Sequence, residues 1–340
     1  MAEHGKNILF VLTMVTVLAM AWVWNYALGN GPATGRRSGE EIRLVIPPGA
    51  SFHAIEDILA QTGLIVPGPR FRLVAGLMGV ADKLKAGDYA IKAGSSPYKI
   101  LKRLSLGAIH LQPLTIPEGY NIVQIDQLFS DEGWAKKGAV TQLARDPDFI
   151  KALGLNVDSL EGYLFPDTYL FIRGGQDAKE LLTTMVKQNR KVIDSLGVKQ
   201  HLKHLGLNLH QFLTLASIIE KESGRVEEQT KIARVFLNRL KKGMRLQADP
   251  TVIYGISNFD GNLTKKELLT PGPYNTYLNQ GLPPGPICNP GRSAMKAILR
   301  PARWKYLYFV SKNDGSHYFS SSLSRHNRAV ARYQKHRRRR

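Results

Sequence analysis

Residues 209–222 read LHQFLTLASIIEKE, and the interpretation of the whole chain starts from this stretch. Leu215, Ile218 and Ile219 recur at the three- and four-residue spacing that places side chains on one face of a helix. Glu222 follows at the same spacing, so we predict a helix whose apolar face ends in a carboxyl group. The same periodicity recurs at residues 178–196, 227–240 and 293–299. The second half of the chain is therefore predicted to be mainly helical.

Short apolar strands that lead into helices characterise the first half. Residues 44–46, 89–91 and 114–116 each precede a turn that contains Pro and Gly and then a helical pattern. Ser95 or Ser96 is predicted to cap the helix after the second strand, with Pro97 in its first turn. Residues 42 to about 130 are thus predicted to form repeated strand–turn–helix units, and the fold class is α+β.

A stretch rich in Gly, Pro, Asn and Tyr extends over residues 244–291. It is long for a connection inside a compact domain, which leaves a binding surface or a poorly ordered segment as interpretations. Its aromatic residues favour order. Residues 306–311 and 317–320 flank an Asn-Asp-Gly turn and predict a C-terminal hairpin.

Residues 8–28 form a run of 21 residues without a charged side chain. A helix of this length crosses the roughly 30 Å of bilayer hydrocarbon. Trp22, Trp24 and Tyr26 lie near its C-terminal end, where aromatic rings favour the membrane interface. A cleaved signal peptide is the alternative, but its apolar region is usually only ~7–15 residues long. We predict an uncleaved transmembrane anchor with residues 1–7 in the cytoplasm and the rest in the periplasm.

The formal net charge is +20, and residues 325–340 contribute eight Lys or Arg without an acidic residue. Such a charge suits anionic lipid, an acidic polymer or nucleic acid. A chain delivered across a membrane rarely meets nucleic acid, and no basic helix is interleaved with aromatic residues, so no nucleic-acid partner is expected. The single cysteine, Cys288, cannot form an intrachain disulfide.

Glu222 is the predicted chemical group of the long helix. A carboxyl on an apolar face is desolvated, which raises its pKa and keeps a proton on it near neutral pH. Cleavage of a glycosidic bond needs such a proton donor. The alternative is a helix-end glutamate that reaches solvent or pairs with Lys221 or Arg225. Glu220 lies two residues away, about 200° around the helix, and is predicted to face elsewhere.

Other chemistries find little support. The sequence has no Gly-rich phosphate loop, no paired cysteines and no HExxH motif, so no cofactor is expected. His201, His204 and His210 lie close together. They permit a metal site, but solvated histidines at helix ends are the simpler interpretation, and we predict no metal.

Aromatic, amide and hydroxyl side chains downstream are of the kinds that bind sugars by stacking and hydrogen bonding. They are Gln247, Asp249, Tyr254, Tyr274, Asn275, Thr276 and Tyr277. An ordinary surface loop is the alternative. Residues 281–285 can form a stiff turn beside a groove.

Several longer stretches carry a resemblance to a known family. They are residues 160–169 (LEGYLFPDTY), 216–223 (ASIIEKES), 245–255 (RLQADPTVIYG), 274–277 (YNTY) and 281–287 (GLPPGPI). On these stretches the chain resembles the endolytic murein transglycosylase family, also called MltG or YceG-like. The resemblance extends over nearly the whole chain, to about residue 333.

The resemblance implies the domain organisation. A LysM-like subdomain is expected at residues 42–111 and a catalytic domain similar to lytic transglycosylases at residues 112–324. They would lie between a linker at residues 29–41 and a basic tail at residues 325–340.

The resemblance also implies the reaction. A glutamate protonates the oxygen between N-acetylmuramic acid and N-acetylglucosamine, and then acts as base while the muramyl 6-hydroxyl closes on C1. The product carries a 1,6-anhydro end. In lytic transglycosylases the catalytic glutamate commonly precedes Ser or Thr, which selects Glu222 before Ser223. Glu220 is the fallback, and Glu161 is a second acidic candidate that orients substrate.

The implied partners are peptidoglycan glycan strands, the inner membrane through the anchor, and the cell-wall synthesis machinery, near which the enzyme would terminate growing strands. Two other functions stay open. One is a non-catalytic peptidoglycan-binding scaffold anchored in the membrane. The other is a muramidase-type hydrolase, which adds water where a lytic transglycosylase does not.

Overall fold

The structure, a computed structural model, describes residues 2–32, 40–107, 111–171, 177–257 and 259–335, with the side chains of residues 2–12 and 335 outside this description. It divides into two compact units. Unit 1 comprises Met1–Leu114 and Leu170–Asp177, and unit 2 comprises Thr115–Tyr169 and Ala178–Arg340.

Unit 1 contains a small antiparallel sheet covered by helices. Its elements are α1 (Ala2–Leu28), β1 (Glu41–Ile46), α2 (Phe52–Gln61), α3 (Pro69–Leu77), β2 (Gly87–Lys92) and α4 (Pro97–Leu106). β1 pairs with β2 so that Glu41 lies opposite Lys92 and Ile46 lies opposite Gly87. Alternate residues of β1 are buried, as expected for a strand with one face on the core.

Side-chain caps explain where the helices of the strand–turn–helix units begin. Ser51 accepts a hydrogen bond from the backbone N–H of Ala54 at the start of α2. Ser96 caps α4, with Pro97 in its first turn, as predicted. The predicted strand–helix pairs β1–α2 and β2–α4 are therefore confirmed, and so is the mixed α+β class. α3 was not predicted.

α1 includes all the residues of the predicted anchor, and its last turns pack against the rest of unit 1. Ala27 is buried, and the guanidinium of Arg70 lies 3.8 Å from the ring centroid of Trp22. Among the residues whose side chains are described, no helix is both long enough and apolar enough to cross a membrane. Residues 8–12 of the predicted anchor lie outside that set.

Unit 2 is mainly helical. Its helices are α5 (Ile122–Asp131), α6 (Ala139–Leu143), α7 (Pro147–Ala152), α8 (Ala178–Ser195), α9 (Val198–Leu205), α10 (Leu209–Glu222), α11 (Val226–Lys241), α12 (Asp249–Tyr254), α13 (Lys265–Leu268), α14 (Arg292–Leu299) and α15 (Leu323–Val330), and a π-helical turn follows at Ala331–Lys335. β5 (Tyr308–Ser311) and β6 (His317–Ser320) form the predicted hairpin. β3 (Gln112–Thr115) pairs with β4 (Thr168–Phe171), and the boundary between the units passes through both strands.

α10 is the central helix of unit 2. Eight consecutive residues, from Phe212 to Ile219, are buried, and α11, α12 and α14 pack against it. A helix buried on every side carries its charged groups at its ends, where they can reach polar partners. The carboxyl groups of Glu220 and Glu222 therefore lie where α10 emerges from the core.

The structure adds elements that periodicity did not predict. α12 and α13 lie in the stretch rich in Gly and Tyr, and with six and four residues they are too short to show a helical period. α15 overlaps the beginning of the predicted basic tail, and its Ala329 is buried. Residues 336–340 of that tail lie outside the described residues.

Candidate active site

Glu222 is the last residue of α10, and the geometry of both helix ends positions it. Asn208 and Gln211 form a reciprocal capping box that fixes where the helix begins. Ser223 leaves the helix in an extended conformation, with φ −150° and ψ 125°. The carboxyl of Glu222 is thus presented at a defined point rather than on a fraying turn.

The surroundings of Glu222 favour its protonated form. The side chain keeps partial contact with solvent, yet burial raises the pKa of Glu222 to about 8. The negative charge of Asp249 also raises this pKa, and the positive charge of Arg239 lowers it. At neutral pH the Glu222 carboxyl therefore holds a proton that it can donate.

The alternative in which Glu222 pairs with a neighbouring cation is wrong. Lys221 directs its Nζ to the carbonyl oxygen of Gly119, 3.4 Å away. Arg225 directs its Nη2 to the carbonyl oxygen of Asp314, 2.9 Å away. Within the described part of the chain, neither cation forms an ion pair with Glu222.

The charges of Asp249 and Arg239 act on the Glu222 carboxyl, and Tyr277 connects to this group through Asp249. Asp249 is the exposed first residue of α12 and accepts a hydrogen bond from the hydroxyl of Tyr277. Arg239 is buried, and its guanidinium donates to the carbonyl oxygens of Leu246 and Leu307, both at 2.7 Å. The arrangement places the proton donor under the influence of a carboxyl group at the start of α12 and of a hydrogen-bonded cation on α11.

The loop that precedes Asp249 is held in a strained conformation. Gln247 adopts a positive φ of 50°, which is uncommon for a residue other than Gly, Asn or Asp. Its backbone N–H donates to the carbonyl oxygen of Thr276 at 3.1 Å, and its side chain is exposed. Strain of this kind is often retained at functional sites.

Asn275 and Thr276 hold this loop together and are buried. The Asn275 amide donates to two backbone carbonyl groups, at 2.8 and 3.0 Å, and accepts from the N–H of Tyr277 at 2.9 Å. The Thr276 hydroxyl accepts from the N–H of Ala248 at 3.0 Å and lies 2.8 Å from the hydroxyl of Thr251. Both side chains were predicted to bind substrate, but in this structure they support the loop.

Glu161 forms a second carboxyl centre, at the other end of α12. It is 4% exposed and accepts hydrogen bonds from the N–H of Ile122 at 3.2 Å, the amide of Asn289 at 3.2 Å and the hydroxyl of Tyr254 at 3.1 Å. Burial raises the pKa of Glu161 to about 7, and the donors limit the rise. Glu161 thereby fixes Tyr254, the last residue of α12.

Cavities lie on more than one side of α12, and two of them bear on the site. One, of about 440 Å³, is lined by residues that include Glu161, His210, Tyr254 and Tyr274. The rings of Tyr254 and Tyr274 lie 4.8 Å apart at a tilt of 55°. The other cavity, of about 380 Å³, is lined by residues that include Lys221, which precedes Glu222, and Tyr254. α12 therefore runs from Asp249, whose charge acts on Glu222, to the aromatic pair at its other end, roughly 7.5 Å along its axis.

Glu220 occupies a different environment from Glu222. Its Oε2 accepts a hydrogen bond from the N–H of Gly291 at 2.9 Å, at the start of α14. A carboxylate at a helix N-terminus is stabilised by the helix dipole. Burial raises the pKa of Glu220, the Gly291 hydrogen bond lowers it, and Glu118 raises it. Glu220 thus joins α10 to α14.

His210 and His201, two of the three histidines considered for a metal site, contact different groups. His210 lies between the hydroxyl of Tyr163 at 3.0 Å and the carbonyl oxygen of Pro284 at 2.9 Å. His201 contacts the carbonyl oxygen of Gly197 at 2.9 Å. Among the described residues, no group of three His, Cys, Asp or Glu side chains could hold a metal ion.

A model of the YceG-like family matches residues 44–332. The chain belongs to the YceG-like family. A crystal structure of a YceG-like protein from Listeria monocytogenes is 37% identical in sequence and superposes with a TM-score of 0.59, covering 86% of this chain and 99% of that one. The matched residues include most of unit 2 and the part of unit 1 that follows residue 43 in the YceG-like chain.

Two curated relatives carry the name endolytic murein transglycosylase. The protein from Bacillus subtilis (strain 168) is 35% identical over 86% of this chain and 84% of its own length. The protein from Streptococcus pneumoniae serotype 2 is 28% identical over 95% of this chain, which spans 64% of that longer relative.

Arg239 is the residue of this YceG-like site that the sequence analysis missed. It follows Ile232 and Phe236 at helical spacing, and all three are buried on the core face of α11. A cation on an apolar helix face must be paired or hydrogen-bonded when buried. An arginine at a core position of a helix was therefore the sequence signal that could have identified Arg239.

Proposed function

We propose that this chain is an endolytic lytic transglycosylase that cuts peptidoglycan glycan strands between N-acetylmuramic acid and N-acetylglucosamine. Its membership of the YceG-like family and its transglycosylase relatives support the reaction class. The observation that carries the site is the Glu222 carboxyl, held partly in solvent with a pKa of about 8. It is a proton donor at neutral pH.

Glu222 carries the chemistry in two steps. Its proton passes to the glycosidic oxygen as the bond from that oxygen to C1 of N-acetylmuramic acid breaks. The resulting carboxylate then accepts the proton of the muramyl 6-hydroxyl as that oxygen bonds to C1. Glu222 ends protonated, no water is consumed, and one strand end becomes a 1,6-anhydro sugar.

The neighbouring groups tune this donor and hold the sugar. The charge of Asp249 keeps the proton on Glu222 before reaction, and Arg239 stabilises the carboxylate that forms during it. Gln247 offers an exposed amide, while Tyr254 and Tyr274 offer ring faces for stacking. Glu161 acts through Tyr254 as a positioning residue rather than by touching the scissile bond.

A muramidase-type hydrolase is the second candidate, and Asp249 is the observation that favours it. Ordinary glycosidases use two carboxyl groups, one as acid and one as base or nucleophile. Asp249 is an exposed second carboxyl group, and its charge raises the pKa of Glu222. The non-catalytic scaffold is not favoured, because the relatives are named for an enzymatic activity.

Product analysis separates the two reactions. Purified glycan strands are incubated with the full chain in heavy-oxygen water, and the fragments are weighed by mass spectrometry. A lytic transglycosylase yields anhydro ends that are lighter by one water than reducing ends and contain no heavy oxygen. New reducing ends, in excess of those in a control without the chain in the same water, would establish hydrolysis and overturn the proposal.

The finer organisation is also proposed. Residues 8–28 serve as the single-pass anchor in the inner membrane, which the uncharged run and the aromatic residues at its end support. The catalytic unit then lies in the periplasm. The β1-α2-α3-β2 order of unit 1 supports a LysM-like glycan-binding role. Strand termination beside the synthesis machinery follows from an anchored, endolytic enzyme.

A further inference from the structure

Unit 1 contains a cavity of about 430 Å³ with an unbalanced positive charge. Four cationic side chains line it and no acidic residue does, and they are Lys92, Lys99, Lys102 and Arg103. All four are exposed, and within the described part of the chain none forms an ion pair. Cations gathered around a concave surface raise the local potential and attract an anion.

Local structure explains only part of this charge. Arg103 lies in the last turn of α4, where a cation interacts favourably with the helix dipole. Lys92 ends β2 opposite Glu41, which does not line the cavity. Lys99 and Lys102 have no acidic partner in the described structure. The cluster is therefore suited to a ligand that supplies negative charge.

The cavity lies beside the chain segment that leaves α1. The N–H of Gly31 donates to the carbonyl oxygen of Gly94 at 3.2 Å. A Cβ atom on Gly31 would lie 2.4 Å from the carbonyl oxygen of Ser95, which lines the cavity. α1 ends at Leu28, only three residues before Gly31. The cavity is thus tied to the end of the proposed membrane helix.

Because most of its cationic residues lie on α4, we call this cavity of about 430 Å³ the α4 cavity. We propose that the α4 cavity binds the phosphate headgroups of anionic membrane lipids and docks unit 1 on the membrane surface. The proposal rests on the proposed anchor, which would place the end of α1 at headgroup depth. Each Lys or Arg near an anionic surface strengthens such binding by about fivefold. Leu106, which is 65% exposed at the cavity, can insert at the interface.

The test uses the full chain in nanodiscs of phosphatidylcholine, with or without phosphatidylglycerol. A fluorophore is attached at Ser105→Cys, beside Leu106 on α4, since the native Cys288 is buried. Quencher-labelled lipid headgroups then report contact with the cavity. We expect strong quenching only with phosphatidylglycerol. Combining Lys99→Gln, Lys102→Gln and Arg103→Gln should lower the ratio of docked to free unit by about 100-fold.

The matched control combines Lys187→Gln, Lys191→Gln and Lys203→Gln, which remove the same charge from α8 and α9 and should leave quenching unchanged. Equal quenching in both lipids, or equal loss in both triple variants, would overturn the proposal. A third result would also overturn the proposal. If phosphatidylglycerol does not change the quenching but soluble polyphosphate does at matched ionic strength, the cavity binds a soluble polyanion.

Failure of this proposal is distinguishable from failure of the proposed function. The proposed glycan-binding role of unit 1 rests on β1, α2, α3 and β2, whereas the three substituted cations lie on α4. Glycan-strand cleavage in detergent is therefore expected to be unchanged in both triple variants. If the chain does not enter nanodiscs, the anchor is wrong. Liposomes of the same two compositions, added to the free chain, then give the same quenching comparison, and no dependence on phosphatidylglycerol would overturn the docking site.

Discussion

Replacing Glu222 by glutamine is expected to slow glycan-strand cleavage by about 10²–10⁴-fold, the usual contribution of a general acid–base group. Glutamine has nearly the same shape but no acidic proton to transfer, so the hydrogen bond between Asp249 and Tyr277 should stay intact. The rate is measured as the appearance of new strand ends by chromatography, with folding checked by circular dichroism.

Glu220→Gln is the matched control, since the same substitution is made two residues away on the same helix. A glutamine oxygen can still accept the hydrogen bond that Gly291 donates to Glu220. We expect activity to stay within about tenfold of the parent, below the range for a lost acid–base group. A large loss in Glu220→Gln together with an active Glu222→Gln would transfer the catalytic role to Glu220.

Removing the Glu222 carboxyl is also expected to change how stability depends on pH. The folded pKa of Glu222, about 8, lies above the ordinary value of 4.5. Between these values the unfolded state releases this proton and the folded state retains it, so unfolding becomes easier as the pH rises. The destabilisation is absent below about pH 4 and complete above pH 8.

Glu222→Gln lacks this dependence. Relative to the variant, the free energy of unfolding of the parent should fall by about 2–4 kcal/mol from pH 5 to pH 8, the lower figure allowing for partial solvent contact. Urea unfolding at pH 5 and at pH 8, monitored by hydrogen exchange of the α10 amides, gives the free energy of unfolding of the parent and of the variant at each pH. The raised pKa of Glu161 affects both proteins alike and cancels in the difference. Parallel pH profiles would contradict a raised pKa at Glu222.

Local sequence signals predicted the elements that depend on local physics. The long helices have a repeated apolar face, and α4 has a side-chain cap at Ser96 with a proline behind it. The hairpin at residues 308–320 has an Asn-Asp-Gly turn between β-rich runs. These signals lie within a few residues of one another, so single-sequence reasoning can use them.

Helical phase alone was less decisive at the site. It selected Glu222 by its position after Leu215 and Ile218, and it assigned Glu220 to another face. The structure shows that α10 is buried on every side, so both carboxyl groups are desolvated. The two carboxyl groups differ in what acts on them. Glu220 accepts a hydrogen bond from Gly291, whereas the charges of Asp249 and Arg239 shift the pKa of Glu222. Those partners are distant in sequence, and spacing could not reveal them.

The substrate-binding predictions separate for a related reason. Tyr and Asn in a loop indicate a sugar surface and a self-supporting loop equally well, because both use the same hydrogen bonds. Asn275 and Thr276 support the loop, whereas Gln247 is exposed and Tyr254 and Tyr274 line a cavity. Only tertiary contacts show whether a side chain already forms its hydrogen bonds within the protein or is available to bind a ligand.

The central claim is that the Glu222 carboxyl still carries its proton at neutral pH. The most direct measurement is a carbon NMR titration of the chain with labelled glutamate side chains, in which the Glu222 signal is identified by its absence from Glu222→Gln. A midpoint near pH 8, distinct from that of Glu161 near pH 7, is the predicted result. A Glu222 midpoint between about 4 and 5, as in an exposed glutamate, would contradict the account.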